Sequence, residues 1–137
     1  MTDIKLEANA LYGLGYNHRR MGNYDKAMEF LEQGLVPLSD TGNILGQGRF
    51  YYVMGEVLLD QNGRAQEAIE MLQHAYGILE TCDDPEGPSL TLGTLGEAYT
   101  RIEARDDAII ALRKASRFQY PWNLKSNGIV NCINFLD

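Results

Sequence analysis

Residues 10–15 read ALYGLG and residues 22–31 read GNYDKAMEFL, and small residues of these two runs recur along the chain. One glycine and one alanine reappear at intervals of 40 or 41 residues. The recurrent glycines are Gly15, Gly55 and Gly96, and the recurrent alanines are Ala27, Ala68 and Ala108. A fixed period of this length indicates that the chain contains three copies of one structural unit.

Apolar residues at helical spacing accompany each recurrent position. Leu14 directly precedes Gly15 and Leu11 lies three positions earlier, while Leu31 follows Ala27 by four, and the other copies repeat these offsets. Such offsets mark the buried side of an α-helix, and small residues let two helices cross closely. The sequence therefore predicts six helices, which span Ile4–Met21, Tyr24–Leu38, Leu45–Gln61, Ala65–Thr81, Ser89–Glu103 and Asp106–Phe118.

The turns inside the three predicted helix pairs differ in composition. Residues 21–25 and 60–64 contain glycine and asparagine, which tolerate the left-handed conformation at a helix end. Residues 101–106 contain no glycine. The third turn is therefore expected to form without the residue that favours it.

The carboxyl-terminal segment departs from the repeat at Pro121. Its apolar residues at helical spacing are Leu124, Ile129, Val130, Ile133 and Leu136. A short seventh helix with these residues on one face would cap the end of a helical stack. We therefore predict an all-α solenoid in a single domain, 1–137, with repeats at 4–40, 44–81 and 88–120 and a cap at 121–137.

The recurrent glycine and alanine skeleton, with the run 22–31, resembles the tetratricopeptide repeat family, and the 40-residue spacing resembles its long-repeat subgroup. The resemblance implies a right-handed superhelix whose first helices line a concave groove that holds a protein or peptide segment. The groove residues it implies are Asn9, Tyr12, Tyr16, Arg19, Arg49, Tyr52, Glu56, Leu59, Leu90, Gly93, Glu97 and Arg101. Tyrosines are favoured at binding hot spots, although each of the three is equally open to interpretation as a core residue with a solvated hydroxyl.

The resemblance favours a non-enzymatic scaffold that binds a peptide or protein segment. The alternative is a peptide-sensing regulatory module that acts on a second protein partner. No cofactor or metal is expected, because His18 and His74 have no acidic or cysteine partners at ligand spacing. The glycines near residues 13–15 and 46–48 follow no predicted strand, and no Gly-Lys-Ser or Gly-Lys-Thr is present, so a phosphate-binding loop is not expected.

Composition and charge exclude several classes of protein. The 137 residues are 45% hydrophobic without a long apolar run, so no membrane association is expected. A net charge of −7 argues against nucleic acid as a partner. Cys82 and Cys132 cannot build a disulfide framework and residues 1–7 do not resemble a signal peptide, which predicts a cytoplasmic protein.

Charge is distributed unevenly along the sequence. Residues 1–100 hold six Lys and Arg against fifteen Asp and Glu, or −9, whereas residues 101–125 hold six against three, or +3. One interpretation is an ordinary solvated helix face. The other is a basic end that docks an acidic partner or the acidic end of a second copy. Together with the apolar faces at the ends of a short stack, this pattern predicts weak homodimerisation at high concentration.

Overall fold

The computed structural model describes residues 4–83 and 86–117, which form six helices joined by turns. The helices are α1 (Ile4–Arg20), α2 (Tyr24–Asp40), α3 (Ile44–Leu59), α4 (Ala65–Leu79), α5 (Glu86–Arg101) and α6 (Arg105–Arg117). They pack as the pairs α1–α2, α3–α4 and α5–α6, and the pairs stack through α2–α3 and α4–α5. The predicted all-α solenoid of three helix pairs is confirmed.

Five predicted helix boundaries, the ends of α2, α3, α4 and α5 and the start of α5, differ from the structure by two or three residues. Helix α5 begins at Glu86 rather than Ser89, so Pro88 lies in its first turn, where the missing N–H of proline has no helical acceptor anyway. Helix α2 continues to Asp40, past Pro37. The predicted cap at 121–137 lies outside the described residues.

The two helices of each pair cross where the recurrent glycine faces a leucine. A Cβ atom placed on Gly15, Gly55 or Gly96 would lie within 2.6 Å of Cγ of Leu31, Leu72 or Leu112, respectively. The three recurrent alanines are fully buried beside these contacts. The predicted close crossing is therefore confirmed, and the leucine four residues after each alanine fills the space that the glycine leaves.

A left-handed residue lies in the turn between the two helices of every pair. Gly22 and Gly63 both have φ of 81°, and Glu103, at the same place in the third pair, has φ of 61°. The Asn23 N–H donates to His18 O at 2.8 Å, and the Ala104 N–H donates to Tyr99 O at 2.9 Å. These six-residue hydrogen bonds are typical of a Schellman cap. The turn that lacks glycine thus adopts the same cap with a glutamate in the left-handed position.

A continuous apolar core connects the three pairs. Tyr52 and Met71 pack against both of its halves, one centred on α1–α3 and the other on α3–α6. None of the described helices combines the length and the apolar character needed to cross a bilayer. The stacked pairs leave the outward sides of α1, α3 and α5 aligned as one surface.

Candidate functional site

A pocket of about 580 Å³ opens on the surface formed by the amino-terminal halves of α1, α3 and α5, and we call it the groove pocket. The predicted groove residues that line it are Asn9, Tyr12, Arg49, Tyr52 and Leu90. Its walls also include Leu38, Leu45, Phe50 and Leu79, which the groove prediction did not contain. Five helices therefore contribute side chains to one mostly apolar cavity.

The three groove tyrosines have different environments. Tyr12 is half-buried, with its ring centroid 5.4 Å from that of Phe50. The Tyr52 hydroxyl lies 3.4 Å from Thr94 Oγ1, and its ring packs into the core. Tyr16 is 40% exposed. The interpretation as a core residue with a polar hydroxyl therefore fits Tyr52 best, whereas Tyr16 is a surface residue.

Burial and negative charge raise the pKa values of both inner tyrosines, which an ordinary pKa of 10 already keeps neutral at neutral pH. Burial, with a contribution from the nearby Glu56 carboxylate, raises the pKa of Tyr52 to about 12. The same two causes, in the same order, raise the pKa of Tyr12. Both hydroxyls therefore remain hydrogen-bond donors at neutral pH.

Next to the groove pocket, toward the carboxyl ends of α1, α3 and α5, lies a group of charged side chains, which we call the charged segment. It consists of Arg19, Glu56, Asp60, Glu97 and Arg101. Arg19 Nε lies 2.7 Å from Asp60 Oδ2, and Arg19 Nη1 lies 3.3 Å from Glu56 Oε1. Arg101 Nη2 lies 2.9 Å from Glu97 Oε1, and its Nη1 donates to the Leu59 carbonyl. Arg19 thus connects α1 to α3, and Arg101 connects α5 to α3.

Glu56 is the most buried carboxylate of this segment, with 18% of its side chain exposed. Burial raises its pKa, and the charges of Asp60 and Glu97 add to this rise. Arg19 and the hydrogen bond from Tyr52 lower the pKa but do not reverse the shift. The centre of the groove therefore holds a carboxylate whose ionised form is disfavoured mainly by burial.

Leu59 does not reach the groove surface. It is 3% exposed and packs with Leu92 and Leu95 of α5. Arg19 occupies the same offset from its glycine in α1 and contacts α3, which shows that this offset faces the next repeat. In α3 the position is covered by α5, so the leucine joins the core and only its carbonyl contacts a groove residue.

The sequence reasoning missed Asp60, which binds Arg19, and Thr94, which contacts Tyr52. A signal for Asp60 was present, since it follows Gly55 by the same five positions by which Arg101 follows Gly96. Thr94 carried no such signal. Within 4–83 and 86–117, no group of three or more His, Cys, Asp or Glu side chains is placed to hold a metal ion.

Three stacked helix pairs with a groove on their first helices define an α-helical repeat protein. Residues 8–36, which contain most of α1 and α2, match the family model of the tetratricopeptide repeat. This match supports the resemblance of the chain to the tetratricopeptide repeat family. No curated protein matches it. Tetratricopeptide repeats generally mediate protein–protein interactions.

Proposed function

We propose that the chain is a non-enzymatic scaffold that binds a peptide or protein segment in the groove of α1, α3 and α5. The observation that supports this most is the groove pocket, which all three repeats line. Its size lies within the range of about 300–1,000 Å³ that is typical of ligand pockets. Leu90 and Tyr16, 45% and 40% exposed, offer apolar surface that a partner would bury.

The alternative, a peptide-sensing regulatory module, draws support from the two arginine connections. Arg19 links α1 to α3 through Glu56, and Arg101 links α5 to α3 through the Leu59 carbonyl. A partner that competes for Glu56 or Glu97 would weaken these links and change how the repeats are held relative to one another. Such a change could alter the affinity for a second protein.

Peptide selection on the full-length chain tests the proposed scaffold. A randomised peptide library displayed on phage is panned against the protein, and the enriched peptides are measured against Tyr16→Ala. We expect affinity to fall by at least about fivefold, which corresponds to about 1 kcal/mol, a loss that only a minority of interface residues cause when truncated. Because Tyr16 is exposed, its removal should leave the melting temperature nearly unchanged, unlike Tyr52→Ala, which removes a core ring.

Ile110→Ala on α6 is the matched control, since Ile110 is 54% exposed but lies outside the groove. Binding of the selected peptides to this variant should equal that of the wild type. Tyr12→Ala is expected to weaken binding more than it weakens folding, whereas Tyr52→Ala should weaken both, because its ring packs in the core. Peptides that bind all three tyrosine variants normally would place the binding surface on the convex side or at an edge of the stack.

A further inference from the structure

Resting on the proposed groove, we propose that the partner segment presents a large apolar side chain to the groove pocket and a lysine or arginine to Glu56 and Glu97. The groove pocket and the charged segment lie next to each other along α3. They differ in chemistry, so a partner that fits both must carry both kinds of side chain at a fixed separation.

The walls of the groove pocket determine the apolar requirement. Tyr12, Leu45, Phe50, Leu79 and Leu90 approach it from four helices. Leu90 remains 45% exposed at its rim. A leucine, phenylalanine or tryptophan side chain of the partner would cover this surface, and the burial of that side chain would favour binding.

The charged segment determines the cationic requirement. Three carboxylates, of Glu56, Asp60 and Glu97, face two guanidinium groups. Arg19 is shared between Glu56 and Asp60, and Arg101 divides its donors between Glu97 and the Leu59 carbonyl.

One negative charge therefore remains in excess where Glu56 is already partly desolvated. Burial raises the pKa of Glu56, the carboxylates of Asp60 and Glu97 add to the rise, and the chain as a whole carries a net charge of −7. An incoming cation would relieve the repulsion among the carboxylates, whereas an incoming carboxylate would increase it.

Helix geometry sets the distance between the two requirements. Glu56 follows Tyr52 by four residues and Arg49 by seven, and both of these residues line the groove pocket. At a rise of 1.5 Å per residue, the separation along α3 is about 6–10 Å. An extended partner advances about 3.3 Å per residue, so its cation should lie about two or three residues from its apolar anchor.

The same phage-displayed random library tests the spacing, with the full-length chain as the target. We expect enriched peptides to share a large apolar residue and a lysine or arginine about two or three positions away. Replacement of that cation by glutamate in a synthetic copy should weaken binding by at least about tenfold, because it exchanges attraction for repulsion.

Charge exchange in the protein provides the reciprocal test. Glu97→Lys should weaken the binding of the peptide that contains the cation and strengthen the binding of the copy in which glutamate replaces it. Glu70→Lys, an exposed charge reversal on α4, should change neither. Leu90→Glu should abolish binding of both peptides, while Ile110→Glu on α6 should leave binding intact, with circular dichroism verifying the fold of each variant.

The outcomes separate this inference from the proposed function. Peptides that lose binding in Leu90→Glu but show no preference for a cation would overturn the inference and leave the scaffold groove in place. Peptides that bind Leu90→Glu and Tyr16→Ala normally would contradict the groove itself.

Two other occupants have their own signatures in the absence of peptide. Trp122 is the only tryptophan, so a shift of its emission in Leu90→Glu would identify residues 118–137 as the occupant. A dimer that Leu90→Glu dissociates would identify a second copy. Either result would overturn the inference.

Discussion

At the scale of the single residue, Glu103 occupies a backbone conformation for which the other two repeats use glycine. Its φ of 61° is left-handed, a conformation that costs a side-chain-bearing residue about 1–2 kcal/mol. Glu103→Gly removes this strain, and the greater entropy of glycine in the unfolded chain offsets about 0.4–1 kcal/mol of the gain. We expect a net stabilisation of about 0.5–1 kcal/mol, seen as a rise of a few degrees in melting temperature.

Glu80→Gly is the control for this substitution. Glu80 caps α4 with φ of −66°, where glycine relieves no strain, so this variant should be less stable than the wild type. A Glu103→Gly variant that melts at or below the wild-type temperature would show that the third turn is not strained at this residue.

Glu56 makes a second prediction at this scale. Its pKa in the folded protein is raised above the ordinary value of 4.5, so the folded state binds a proton more readily than the unfolded state does. Ionised Glu56 therefore lowers stability at neutral pH, and this penalty disappears as the pH falls through the folded pKa to below the unfolded one. Relative to Glu56→Gln, the wild type should gain stability over that interval.

Urea unfolding of both proteins between neutral and acidic pH measures this difference. The glutamine side chain has nearly the same size as glutamate. Because all other carboxylates are present in both proteins, the difference in stability between the two reports on Glu56. If the stability of the wild type relative to Glu56→Gln instead falls as the pH is lowered, Arg19 outweighs burial and the pKa of Glu56 is depressed.

At the scale of the helix, the crossing contacts dominate the packing. Gly55→Leu would place its Cβ 2.6 Å from Leu72, and Ala68→Leu would enlarge a fully buried site in the partner helix. Overpacking of this kind costs about 1–3 kcal/mol, measurable as a lower melting temperature. Gly77→Ala in α4 is the control, because a Cβ there meets no atom within 4 Å and alanine favours the helix. An unchanged midpoint in both leucine variants would contradict the crossing.

The sequence contained enough information to predict the helix pairs, because the period, the small residues and the leucines all recur. It was misleading at the start of α5, where Gly87 and Pro88 resembled a loop although both lie in the first turn of a helix. Residues at the same offset from the recurrent glycine point in the same direction in each repeat, but their neighbours differ. Arg19 and Leu59 share such an offset, yet Arg19 contacts Asp60 whereas Leu59 is buried.

The groove pocket could not be predicted as a cavity from the sequence. Leu38 and Leu79 lie in the last turns of the second helices of their pairs, and Leu45 and Leu90 lie in the first halves of first helices, so these residues meet only after the pairs have stacked. The same holds for Arg19 and Asp60, which are 41 positions apart in the chain. Contacts between repeats depend on the distance and angle between pairs, and neither is specified by the periodicity.

At the scale of the whole molecule, position in the stack determines which equivalent residues remain exposed. Met54 and Leu95 directly precede the recurrent glycines of α3 and α5 and are each 4% exposed. Leu14 has the same place in α1 and is 41% exposed, because the described residues provide no neighbour on that side of α1. Leu6 of α1 and Met21, which directly follows α1, are further exposed apolar residues, at 65% and 62%.

This face predicts weak association at high protein concentration, since an uncovered apolar helix surface is a common subunit contact. Leu14→Glu should reduce the association measured by light scattering across a concentration series. Leu90→Glu is the matched control, because Leu90 is 45% exposed but lies in the groove. Added salt distinguishes two modes of association. A two-fold contact between apolar faces should persist at high salt, whereas a head-to-tail contact between the acidic and basic ends should weaken. If Leu14→Glu associates as strongly as the wild type, the outer face of α1 is not the contact.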